Sequence, residues 1–139
     1  MAVKAPMRPT LRRVSRVIAD YARAHGLDRS EFALVGSCNE RTDRISLILG
    51  TTRSIDEPRW YSEILENLRK DFEEIGRPWV TWNIGLVFRR VDDLERIYLN
   101  FLIGDDEEDV TGLLEDGVNA AWDSWQARSA PAGESKQDG

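Results

Sequence analysis

Residues 61–88, YSEILENLRKDFEEIGRPWVTWNIGLVF, contain a change of period that decides the fold class. Tyr61, Ile64, Leu65, Leu68, Phe72 and Ile75 return at three- and four-residue spacing, which lines one face of a helix. Gly76 and Pro78 then close it. From residue 80 the pattern becomes strict alternation. Val80, Trp82, Ile84, Leu86 and Phe88 fall on one side of a strand, and Thr81, Asn83, Gly85 and Val87 on the other. Upstream, Pro58 follows Asp56 and Glu57, a first-turn position where its missing N–H goes unneeded.

The same plan occurs 50 residues earlier. Leu11, Val14, Val17, Ile18, Tyr21, Ala22 and His25 form a helical stripe ended by Gly26, with Thr10 at the expected N-cap. Two alternating runs follow at residues 32–38 and 45–49. Phe32, Leu34, Gly36 and Cys38 must share a face with Ile45, Leu47 and Leu49, so the hairpin pairs residues of opposite parity. After the strand at 80–88, residues 97–103 alternate again, which predicts a fourth strand with Ile97, Leu99, Phe101 and Ile103 on the core side. Tyr98, Asn100 and Leu102 lie opposite. Val110, Leu114, Gly117, Val118, Ala121, Trp122 and Trp125 define a third helix.

The expected order is α-β-β-α-β-β-α: an α+β domain with a mainly antiparallel four-stranded sheet packed by helices. The helix–strand–strand repeat raises an αββ duplication as one origin. Residues 1–9 read as a flexible N-terminal arm, 10–128 as one α+β domain, and 129–139 as a disordered polar tail. A chain of 139 residues can bury such a core without staples.

The formal charge of −6 is unevenly spread: residues 1–60 carry a net +4 and the remainder −10. A net acidic molecule repels phosphate at long range, so nucleic acid is not the expected partner. No apolar run is long enough for a membrane span, and the first ten residues lack a signal-peptide core. A lone cysteine, Cys38, forms no internal disulfide, and a cytoplasmic location is expected.

Catalytic and metal chemistries are expected to be absent. One histidine, His25, excludes multi-histidine metal sites, and its place at a helix end suits a partly buried core residue or a helix-terminus cation. Cys38 reads as a small buried hydrophobe. Among ten glycines there is no phosphate-cradling loop pattern, and no cofactor is expected. Leu34-Val35-Gly36-Ser37 with Asp43 resembles the opening of nucleotidyltransferase domains, but Ile45, Ser46, Leu47 and Ile48 stand where that family needs a metal-binding acidic pair. The acidic run at 105–109 lacks calcium-loop spacing and suits the positive end of the following helix.

The second sheet face is more suggestive. Trp79, Thr81, Asn83, Tyr98 and Asn100, with Trp122 and Trp125 of the third helix, make a neutral surface with aromatics, a composition suited to a protein partner or a second copy. The element order is similar to that of type III secretion chaperones and of roadblock-type adaptors. That resemblance implies a non-enzymatic, homodimeric, protein-binding domain; both groups commonly include one further strand. The other reading is a small-molecule regulatory module with a pocket between the sheet and the third helix, where Asn83, Tyr98 and Asn100 orient the ligand.

Overall fold

The computed structural model describes residues 7–39, 41–75, 83–99, 101 and 103–129. They form one α+β unit of four helices around a four-stranded mixed sheet. Helix α1 spans Met7–Ala24, strands β1 and β2 span Phe32–Asn39 and Arg44–Thr51, and α2 spans Glu57–Glu74. Strand β3 is Asn83–Arg90, followed by the short α3 at Glu95–Leu99, the two-residue β4 at Glu108–Asp109, and α4 at Thr111–Ser129.

β1 and β2 form the expected antiparallel hairpin of opposite parity, with Leu34 opposite Leu49 and Gly36 opposite Leu47. Its turn closes through Asp43, whose φ of 56° lies in the left-handed region that short polar side chains tolerate. The Asp43 carbonyl then accepts the Asn83 N–H at 2.8 Å and starts β3 beside β2, in parallel. The sheet order is β3-β2-β1-β4.

α1, α2 and α4 cover one face. Leu11, Val14 and Ile18, together with Ile64, Leu68 and Phe72, meet Phe32, Leu34, Ile45, Leu47 and Leu49 in a single core. Leu114 and Val118 of α4 are buried in the same core. α2 turns its stripe slightly from the one expected: Trp60, Ile64, Leu68 and Phe72 are buried at four-residue spacing, while Tyr61 and Ile75 are exposed. Asp56 caps the helix by accepting the Arg59 N–H. α1 begins three residues before the expected cap, so Thr10 sits inside it and is buried, and the arm assigned to residues 1–9 is helical from Met7.

The largest correction concerns residues 97–103. The expected fourth strand is replaced by α3: the Asp93 side chain accepts the Glu95 N–H, its carbonyl accepts the Arg96 N–H, and the chain coils instead of extending. Ile97 is buried, but Leu99 is 79% exposed. The unit after α2 is thus strand–helix, not strand–strand, which breaks the proposed αββ repeat. The fourth strand comes instead from the acidic run, where Glu108 and Asp109 pair with Cys38 and Ser37. The helix-start reading of that run also holds, since Asp109 accepts the Thr111 N–H at 2.9 Å. Among the described residues no helix is long and apolar enough to cross a membrane.

Candidate interaction surface

The sequence points to the second sheet face and the third helix as one surface. The structure separates them. α4, the expected third helix, packs on the core face, where Trp122 meets the Phe32 ring at 5.9 Å between centroids. The Arg23 guanidinium stacks on both of its tryptophans, 4.3 Å from the Trp122 ring centroid and 3.1 Å from that of Trp125. These indoles hold a partly desolvated cation, and burial pushes the Arg23 pKa down. They are occupied within the fold. Leu114 is fully buried and would be struck by a β-carbon at Gly36, so the space between sheet and α4 is filled.

Of the other residues singled out, Trp79, Thr81 and Asn100 lie outside the described residues, as do Val80 and Trp82. Tyr98 belongs to α3, and its hydroxyl donates to Glu115 of α4 at 2.6 Å. Burial and that carboxylate raise its pKa to about 12. Asn83 is exposed at the start of β3.

The second face is graded in exposure. Ala33, Val35 and Ser37 of β1 are buried, Ser46 and Ile48 of β2 are half-buried, and Asn83, Gly85 and Val87 of β3 are exposed. Ile97 explains part of the cover: a β-carbon at Gly50 would overlap its Cγ1, so the glycine lets α3 seat on the sheet.

β3 is therefore the open margin. Among the described residues nothing pairs with its outer edge. The N–H groups of Asn83 and Val91 bond inward, to Asp43 and Thr51. With an unbroken register between them, Ile84, Leu86, Phe88 and Arg90 point their N–H and C=O groups outward. Beside this edge, Pro58 and Tyr61 of α2 and Leu86, Val87 and Phe88 line a recess of about 390 Å³. Val87 is 51% exposed. Sequence reasoning expected this strand at residues 80–88 with the strand at 97–103 beside it; the missing signal was the short helix that replaces that neighbour.

A second cluster joins α1 to α2. Tyr21 donates its hydroxyl to Glu63, His25 stacks on the Tyr21 ring at 4.0 Å, and Trp60 meets that ring edge-on. Burial and Glu63 raise the Tyr21 pKa to about 12, while Tyr21 and Arg59 lower that of Glu63. Both shifts move away from neutrality, the reverse of what proton transfer at pH 7 requires. The cluster braces the two helices. Among the described residues no group of three or more His, Cys, Asp or Glu side chains could hold a metal ion, and Cys38 is buried.

In comparison with known proteins, the chain matches no family model, no curated protein and no solved structure.

Proposed function

We propose that this chain is a non-catalytic protein-binding domain that works as a homodimer, joined edge to edge through β3. The observation that carries the reading is the outer edge of an eight-residue strand, which nothing among the described residues pairs with, flanked by exposed apolar side chains. Such an edge is a template for another strand unless it is blunted, and β3 contains no proline or lysine within it.

A second copy is the occupant because the edge is self-complementary. An antiparallel pair centred on Val87 sets Val87 opposite its own copy and Leu86 opposite Phe88, using the outward-facing backbone groups of both strands. Arg89 then lies opposite Gly85, which has open space where a side chain would be. The two Arg89–Arg90 pairs end up at opposite ends of the ribbon, so like charges do not meet.

Light scattering on the parent well above micromolar concentration should report a dimer. Val87→Lys places two ammonium groups side by side at the centre of the ribbon, and like charges directly opposite destabilise strand pairing. Because Val87 is exposed, the variant should remain folded by circular dichroism and become monomeric. A monomeric parent, or a variant that stays dimeric, would overturn the edge-to-edge assembly.

A further inference from the structure

β3 turns two different faces to its open margin. Leu86 and Phe88 pair with Leu47 and Leu49 of β2, so they point to the side where α2 lies, whereas Val87 points to the second face. α2 overhangs only the first of these. Its buried row, Trp60, Ile64, Leu68 and Phe72, leaves Tyr61 one step round the helix, where the side chain stands 42% exposed beside Pro58. The recess of about 390 Å³ at the margin is the space between these two residues and the edge of the strand.

Tyr61 is unlike the other two tyrosines. The Tyr21 hydroxyl donates to Glu63 and that of Tyr98 to Glu115, each tying one helix to another. The Tyr61 hydroxyl has no hydrogen-bond partner among the described residues, so an aromatic ring stands over the open edge with no internal bond to hold it.

We propose that α2 selects the strand that pairs with β3, and that the strand it selects is β3 of a second copy. In the antiparallel register centred on Val87, the partner's Phe88 lies opposite Leu86 and the partner's Leu86 opposite Phe88, both on the α2 side. Each recess then receives those two side chains beneath Pro58 and Tyr61, and the copies clamp each other reciprocally, as a two-fold contact requires. Main-chain bonds along an edge accept any strand; pockets for alternate side chains supply the choice. The choice here is for large apolar residues at two positions on one face, a pattern that β3 itself carries. The side chains of Pro58, Leu86 and Phe88 offer no hydrogen bond, so a strand with polar residues at those positions is disfavoured. A two-stranded pairing is marginal in water by itself, and the clamp adds the apolar burial that holds it. This selection rests on the edge-to-edge reading and gives the edge a reason to take its own copy.

Dilution of the full chain, followed by light scattering, tests the clamp. Tyr61→Ala should weaken the dimer about tenfold, the loss expected of an aromatic anchor, with circular dichroism unchanged. Tyr61→Phe should dimerise as the parent does, since the ring and not the hydroxyl covers the recess. A synthetic peptide of residues 83–90, NIGLVFRR, should dissociate the parent dimer. The same peptide with Leu86→Thr and Phe88→Thr keeps every main-chain group and should need about tenfold more. Val87→Lys tests the edge separately. If Val87→Lys gives monomers while Tyr61→Ala dimerises as the parent does, the edge pairing stands and the clamp falls. Equal competition by the two peptides would overturn the selection. A monomeric parent, or a dimeric Val87→Lys, would overturn the edge-to-edge reading and the clamp with it.

Discussion

Ser15 and Gly117 touch where α1 crosses α4. The Ser15 hydroxyl is fully buried, donates to the Arg12 carbonyl at 2.9 Å within its own helix, and lies against the backbone of Gly117. A serine bonded back to its own helix needs nothing from the neighbouring one, and a glycine presents no side chain, so the two helices can approach to backbone contact. This crossing sets how deeply Leu114 and Val118 reach into the core.

Gly117→Ala tests that relationship. The new β-carbon would overlap Ser15 Oγ and come within 2.8 Å of the Arg12 carbonyl oxygen, which is backbone and cannot swing aside. Helix propensity alone favours alanine by about 1 kcal/mol. Overpacking typically costs about 1–3 kcal/mol, so a net loss of stability is expected. Urea denaturation reads it. A stabilised variant would mean that α1 and α4 are farther apart than described.

A paired truncation separates the sequence's account of the core from the structure's. Alternation assigns Leu99 to the core, yet it is 79% exposed, whereas Leu68 of α2 is fully buried. Leu68→Ala should cost about 2–5 kcal/mol, the range for a leucine removed from a packed core. Leu99→Ala should fall within about 0.5 kcal/mol of the parent. Comparable losses from the two would restore the strand reading of residues 97–103.

Periodicity carried the first half of the fold because each signal there was redundant. The parity of Leu34 and Leu49, the stop at Gly26 and the first-turn Pro58 all agree with one hairpin flanked by two helices. At residues 97–103 the alternation of Ile97, Leu99 and Phe101 competed with an aspartate at position 93 able to start a helix. The local hydrogen bonds won. Three alternating residues are too few to outweigh a capped turn, and that reversal removes the strand expected beside β3.

The arrangement of the second sheet face was legible only in part. Alternation sets Asn83, Gly85 and Val87 on one side of β3, and all three are exposed. Trp122 and Trp125 were misassigned because nothing in their own spacing reveals Arg23, a hundred residues away, stacked on both rings.

Alkaline titration probes the contact that holds α3 to α4. Burial, then the hydrogen bond and charge of Glu115, raise the Tyr98 pKa to about 12, and Tyr21 is raised to the same value by burial and Glu63. A phenol whose pKa is raised in the folded state stabilises the fold fully below its ordinary value of 10. That contribution is lost as pH climbs through 12. Absorbance at the phenolate band should therefore show two of the three tyrosines resisting ionisation until the protein unfolds in this window. Glu115→Gln removes the carboxylate charge and keeps a hydrogen-bond acceptor, so it should bring one of the two late phenols down towards its ordinary range and leave the other in place. If both late phenols ionise near pH 10 in the parent with its circular dichroism unchanged, the Tyr98–Glu115 and Tyr21–Glu63 contacts are not formed in solution.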